Sequence, residues 1–162
     1  MTEVEDNTLR IYTTKNIRRA SSRKVLLNIK NISSIIATSG SDVYSTNVIK
    51  ADELELETTS GADMELEVNT KRLLCKATSG SDLKLRGKTA YLSAEATSGS
   101  DIKASDLKAE ISDVKVSSGA DININTSKEL TAKASSGGDI RYSGNPEKVN
   151  KSDSSSGSVR KQ

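Results

Sequence analysis

Ala77-Thr78-Ser79-Gly80-Ser81-Asp82 decides the fold, because the chain keeps rewriting it. Near copies occupy residues 37–42, 58–63, 96–101, 116–121 and 134–139, and a degraded seventh copy, Ser154-Ser155-Ser156-Gly157-Ser158-Val159, stands near the end. The glycines at 40, 61, 80, 99, 119, 137 and 157 are separated by 21, 19, 19, 20, 18 and 20 residues. A short period of this kind without helical signals means stacked β coils, since helical repeats run longer.

Columns taken relative to the glycine support stacking. Three residues before it stand Ala37, Thr58, Ala77, Ala96, Val116 and Ala134, and two further back Ile35, Leu56, Cys75, Ala94, Val114 and Ala132. Three residues after it stand Val43, Met64, Leu83, Ile102, Ile122 and Ile140, followed two on by Ser45, Leu66, Leu85, Ala104, Ile124 and Tyr142. The interleaved positions, Tyr44, Glu65, Lys84, Lys103, Asn123 and Arg141, are polar. Such period-2 columns on both sides of a turn describe strands with one buried face. A lone coil cannot bury that face, so coils stack at about 4.8 Å per layer with backbone hydrogen bonds running between them. Glycine stands at the corner because the corner needs positive φ. The flanking Ser/Thr and the following Asp offer short side chains to bond the turn amides. Pro146 comes where the pattern decays, as at a terminal cap.

Composition narrows the function. The 162 residues are 33% hydrophobic, with no Phe, no Trp and four tyrosines, so the core must be thin and aliphatic. Histidine is absent, which removes the commonest general base, the commonest zinc ligand and every Ser-His or Cys-His arrangement. A single cysteine excludes an internal disulfide framework, and Cys75, in the inward column, reads as a buried thiol. No apolar run is long enough for a transmembrane helix, and the acidic start Met1-Thr2-Glu3-Val4-Glu5-Asp6 is no signal peptide. Net charge is +2, so the molecule is not a polyelectrolyte binder.

Residues 1–36 stand apart from a repeat domain over 37–162 with a polar C-terminal cap. Thr8-Leu9-Arg10-Ile11-Tyr12-Thr13 and residues 25–32 each read as a strand with one buried face, joined by a polar loop at 14–22, and together they are expected to cover the first layer. Arg10, Lys15, Arg18, Arg19, Arg23, Lys24 and Lys30 occur between residues 7 and 41 with no acid among them. They read first as a solvated loop and strand face. The sharper reading is a patch for lipid phosphates, acidic glycans or nucleic acid, nucleic acid being weakest because only Tyr12 is near to stack on a base.

The remaining motifs offer no chemistry. Asp42, Asp63, Asp82, Asp101, Asp121 and Asp139 form a carboxylate ladder, read as turn caps; calcium is the alternative, without the Gly-Gly-x-Gly-x-Asp nonapeptide pattern. Asp52, Glu53, Glu55 and Glu57, like Glu65 and Glu67, alternate with apolar residues along strands and line a solvated face, not two sides of a glycosidase cleft. Thr38, Thr59, Thr78, Thr97, Ser117 and Ser135 form a hydroxyl ladder at a turn, unlike a flat ice-binding array. No residue is assigned as catalytic, cofactor-binding or metal-ligating, and no cofactor is expected.

The reiterated Ser-Gly-Ser/Ala/Gly-Asp-Val/Ile/Leu, the entry Asp6-Asn7-Thr8-Leu9-Arg10-Ile11-Tyr12 and the close Gly137-Gly138-Asp139-Ile140-Arg141-Tyr142-Ser143-Gly144-Asn145-Pro146 with Ser156-Gly157-Ser158-Val159 resemble one known family across the whole chain. That family is the auto-transporter adhesins with a head GIN domain, found mainly in Bacteroidetes. The resemblance implies an exported β-helical protein in the periplasm, outer membrane or cell surface, with no catalytic residues to carry over. The chain lacks the family's export signal and the segment ahead of its first strand, and reads as a truncated piece.

The expectation is therefore an all-β, right-handed parallel β-helix of about six coils with repeats of about 20 residues, preceded by a short strand pair. Its expected role is a non-enzymatic adhesin or envelope scaffold that binds a host or cell-surface protein or glycan through polar strand faces. It is expected to have no nucleic-acid partner, with peripheral envelope association and oligomeric state left open. The rival readings are a self-assembling, bactofilin-like solenoid and a polysaccharide-active enzyme or carbohydrate-binding module.

Overall fold

The computed structural model describes residues 1–15, 18–20, 22–154 and 156–162. Among them there is no helix; twelve strands occur. The chain divides into two units, Met1–Lys30 and Asn31–Gln162.

The first unit holds an antiparallel hairpin of β1 (Thr2–Glu5) and β2 (Thr8–Ile11). Asp6 and Asn7 join them at φ of +46° and +64°. Positive φ at both loop residues is the signature of a two-residue type I′ hairpin, and Asp and Asn tolerate it best among residues with a side chain. The strand expected from Thr8 is thus present, but its partner is the acidic N-terminus. Residues 25–32 form no strand, correcting the sequence expectation. A two-residue loop closes with far less entropy loss than one of nine or more, so the local partner wins. The expected buried face is also missing: Leu9 and Ile11 are half exposed, and Leu26 is 77% exposed. Alternation of residue type predicted burial there, but burial needs a second surface to pack against. The expected loop at 14–22 includes residues 16, 17 and 21, which lie outside the described residues.

The second unit is a parallel β-solenoid of about seven turns. Its strands are β3 (Ser34–Thr38), β4 (Asp42–Tyr44), β5 (Ile49–Thr59), β6 (Asp63–Thr78), β7 (Asp82–Thr97), β8 (Asp101–Val116), β9 (Asp121–Ala134), β10 (Asp139–Ser143), β11 (Lys148–Asp153) and β12 (Ser158–Lys161). Successive coils pair in parallel, with Leu56 against Cys75, Cys75 against Ala94, and Asp63 against Asp82. About six coils were expected. The degraded C-terminal copy supplies the extra layer, since β11 pairs with β9 and β12 with β10. Ser155 of that copy lies outside the described residues; Gly157, expected in the column of Gly137, matches Gly138 instead, because Ser158 pairs with Asp139, and its N–H donates to Ser154 O at 2.9 Å as that of Gly138 does to Ser135 O.

The inward columns are those predicted. Leu56, Cys75, Ala94, Val114 and Ala132 are buried, as are Met64, Leu83, Ile102, Ile122 and Ile140. Each fully buried Leu, Ile or Val contributes about 1.5–3 kcal/mol relative to exposure, so a core without Phe or Trp is adequate when every coil repeats it. Alternation changes phase where two successive residues turn outward, at Lys71-Arg72 in β6 and Ser127-Lys128 in β9. That phase change is a second corner, and in β7 Tyr91 lies there under Arg72, whose Cζ is 4.5 Å from the ring centroid. Unequal coil lengths are absorbed by register shifts between Lys84 and Arg86 and between Ala104 and Lys108. The Ser-Gly corner itself stays in step.

At that corner both Ser and Gly adopt positive φ, from +50° to +59° at Ser39, Ser60, Ser79, Ser98, Ser118 and Ser136 and from +66° to +77° at the glycines after them. Left-handed serine is costly. The gain is a continuous ladder, in which the N–H of Gly61 donates to Ser79 O (3.2 Å) and that of Gly80 to Ser98 O (3.1 Å), so inter-coil bonding passes through the bend unbroken.

Candidate functional site

The corner places Asp42, Asp63, Asp82, Asp101, Asp121 and Asp139 in one register column. Their expected role as turn caps is not what the structure shows. Each Asp is the first residue of the strand after the corner, so its side chain points away from the inward residue that follows it. Its own N–H enters the ladder, Asp63 donating to Ser41 O and Asp101 to Ser81 O, both at 3.0 Å. Among the described residues no corner amide donates to these carboxylates. Where the residue just before Asp is serine, that serine is the cap. The Thr78 N–H donates to Ser81 Oγ (3.2 Å) and the Thr97 N–H to Ser100 Oγ (3.1 Å), and Ser100 in turn donates to Ala77 O or Thr97 O (both 2.8 Å). Ser81 and Ser100 are fully buried, as are Ala62 and Ala120 at the same position. The sequence showed a small residue there but nothing about its direction.

The carboxylates are answered from the neighbouring coil. Lys103 Nζ lies 2.8 Å from Asp82 and 3.5 Å from Asp101, and its hydrogen bond to Asp82 is the leading cause raising its pKa above the ordinary lysine value. Two residues along, Lys84 pairs with Glu65 at 3.2 Å, and Arg86 reaches Glu67 at 3.2 Å and Glu65 at 3.5 Å. Lys71 pairs with Asp52 (2.9 Å) and Lys76 with Glu57 (3.9 Å). These acids thus line outward faces on both sides of the second corner, paired with bases one layer on. Each exposed pair contributes only about 0–1 kcal/mol, and like charges also stack, Asp63 on Asp82 and Lys84 on Lys103, so register is set by the apolar columns and the backbone ladder.

The result is a sheet face with outward columns of Asp, Lys, Glu, Asn and Arg. No three His, Cys, Asp or Glu side chains converge as metal ligands among the described residues. Cys75 is buried beside Leu56 and Ala94, and burial pushes its thiol pKa up. Thr38, Thr59 and Thr78 stack in register at the corner, where the Thr38 and Thr78 hydroxyls meet those of Ser39 and Ser79. Arg10, Lys15, Arg18, Arg19, Arg23, Lys24 and Lys30 are all exposed. Tyr12, the aromatic beside them, donates its hydroxyl to Glu3 at 3.2 Å.

Interior polar groups escaped the sequence reading. Thr70 donates to Thr89 (2.9 Å), Thr89 can donate to Tyr91 O (3.0 Å), and the Ser112 and Thr126 hydroxyls are hydrogen-bonded to each other at 2.6 Å, all inside the coil. Thr70, Thr89 and Thr126 end the inward period before the second corner, and Ser112 stands in step with Val114 and Val116, but a hydroxyl residue carries no apolar signal to mark it as inward.

In the last coil Lys151 is in register with Ala132 and Asp153 with Ala134, so charged residues take over inward columns. Lys151 Nζ lies 5.0 Å from the Tyr142 ring centroid and 3.5 Å from Val159 O, over the final layer. Inward charges of this kind protect an edge from further pairing.

Comparison with known proteins gives the same architecture. The crystal structure of a "putative adhesin" from Bacteroides fragilis superposes with a TM-score of 0.88 at 22% identity, covering 100% of this chain and 76% of that one. Another from Parabacteroides merdae gives 0.67 at 18% identity, covering 80% of this chain and 63% of that one. At such identities the likeness shows the fold. No curated protein matches. No helix among the described residues is long and apolar enough to cross a membrane. The family model for "putative auto-transporter adhesin, head GIN domain" matches residues 1–146, and the chain belongs to that family.

Proposed function

We propose that this protein is a non-enzymatic adhesin-type binder, exported to the periplasm, outer membrane or cell surface, that engages a surface protein or glycan through its polar solenoid face. The observation that carries this reading is the face following the Ser-Gly corner. Its outward columns are exposed or half-exposed, bridged by Asp82–Lys103, Glu65–Lys84 and Glu67–Arg86 pairs, and backed by a continuous core. A rigid face loses little entropy on binding, and repetition lets weak contacts act together. Family membership supports the same role.

The test is retention of the purified protein on intact cells and on immobilised surface proteins and glycans. Saturable retention, weakened when Glu65, Lys84 and Arg86 are replaced together by Ala, is the expected result. Retention that ignores those changes, or turnover of a polysaccharide, counts against it.

Self-assembly is the second reading, favoured by one observation. In the first coil β3 and β4 have described strand partners on one side only, and Ile35, Val43 and Ile49 are only half-buried. The charged last coil opposes it, because head-to-tail stacking needs both ends open.

A further inference from the structure

We propose that Tyr44 and Asp63 form a sugar-binding subsite on this face; the proposal rests on the surface-binding role above and names its ligand class. A shallow recess of about 170 Å³ lies beside Tyr44 on the sheet, bordered by Asp63, Glu65, Asp82, Lys84 and Lys103. Register builds it: Tyr44 of β4 is opposite Glu65 of β6, Asp63 opposite Asp82, and Glu65 opposite Lys84.

Three of the four tyrosines have a partner within the chain. Tyr12 bonds Glu3, Tyr91 lies under Arg72, and Tyr142 is buried beneath Lys151. Tyr44 is 65% exposed, and among the described residues it makes no hydrogen bond or cation contact. It is also the one aromatic residue in a column otherwise made of Glu65, Lys84, Lys103, Asn123 and Arg141. Asp63 is exposed too, and among the described residues its carboxylate has no ion-pair partner. Both features converge on the same recess.

The chemistry selects the ligand. Lys84 is committed to Glu65 at 3.2 Å and Lys103 to Asp82 at 2.8 Å, which leaves Asp63 as the unmatched charge. A phosphate or sulfate would meet three carboxylates and is disfavoured. An apolar ligand would strand the carboxylates and ammonium groups without water. A sugar ring fits both requirements: its C–H face stacks on the tyrosine, and its hydroxyls donate to Asp63 and Asp82 while accepting from the lysines. The subsite binds without catalysis, holding one ring of a neutral glycan.

The probe is a panel of neutral hexose and N-acetylhexosamine oligosaccharides, read by saturation-transfer NMR and by tyrosine fluorescence, with no Trp to mask the signal. Binding by the unsubstituted protein should weaken at least about 10-fold in Tyr44→Ala, as for an aromatic anchor, and by less in Asp63→Asn. Tyr44→Phe should bind normally, and all three should melt with the parent. Equal binding by Tyr44→Ala overturns the subsite, as does absence of binding to every panel member. Preference for a Lys-rich peptide over all glycans overturns it too, in favour of a protein partner. Cell retention without any glycan response would sink the subsite and leave the adhesin reading standing.

Discussion

Gly138 shows how far one side chain is decided by the coil beneath it. Its φ is not in the left-handed region, so the reason for glycine is space. A Cβ there would stand 3.0 Å from both γ-methyls of Val116 and 3.1 Å from Ser117 N. In the earlier coils the small position carries Ser or Ala, over Ala37, Ala77 and Ala96, or over Thr58, whose hydroxyl accepts a hydrogen bond from Ser81, whereas Val116 offers only methyl groups; in the last coil it is Gly157 over Ala134. Valine at 116 and glycine at 138 are therefore one packing unit. Gly138→Ala should destabilise by about 1–3 kcal/mol as overpacking. Adding Val116→Ala should remove most of that penalty, a coupling measurable by urea unfolding of the single and double variants. Cys75 gives a second prediction at this scale. Burial raises the thiol pKa above its ordinary value of 9.0, so above that pH the unfolded chain loses its proton while the folded chain keeps it. Stability from this group is complete below about pH 9 and falls as pH rises beyond it, by up to about 1.4 kcal/mol per unit. Cys75→Ala, matching Ala94 in the next coil, should show a shallower alkaline decline in the same unfolding series.

Elements here are not autonomous, because each strand is bent by its place in the stack. Asp82–Thr97 runs as one strand of 16 residues but contains Gly87 at φ +111°, opposite Val68. A Cβ at Gly87 would lie 2.1 Å from Val68 O, a distance no rotamer can relieve because both atoms are backbone-fixed. Gly87→Ala should cost more than about 3 kcal/mol, combining positive φ with a steric clash, and a thermal melt would show it. A melting temperature within a degree of the parent would contradict this geometry. The Ser-Gly corner predicts the opposite sign. Ser79 sits at φ +59° and is exposed; Ser79→Asn introduces a residue that tolerates this region better, and should gain a few tenths to about 1 kcal/mol in the same melt.

For the solenoid as a whole, the two ends differ. Lys151 and Asp153 stand in the columns of Ala132 and Ala134, and Arg160 and Lys161 follow in the outer strand. Lys151→Val with Asp153→Ala would continue the apolar columns to the open edge. At equal concentration, light scattering after size exclusion should find larger species for that variant than for the unsubstituted chain. Unchanged mass would mean that the edge is protected by something other than charge.

The repeat was legible because a coil of fixed length puts chemically like residues at like positions, and the inward columns from Met64 to Ile140 followed from period 2 alone. The family was legible for the same reason, through the corner motif. Three things needed the tertiary structure. The partner of Thr8–Ile11 depended on the Asp6-Asn7 turn outcompeting the apolar residues 25–32, a contest of loop entropies that alternation does not express. The division of labour at the corner, Ser81 and Ser100 capping while Asp82 and Asp101 face out, depended on which side of the bend each residue falls. The recess at Tyr44 depended on three coils in register, because Tyr44, Asp63 and Asp82 are separated by about one coil each along the chain and meet only when the coils stack. Sequence determined the period and the faces; stacking, which turns separation along the chain into a few ångströms in space, decided the site.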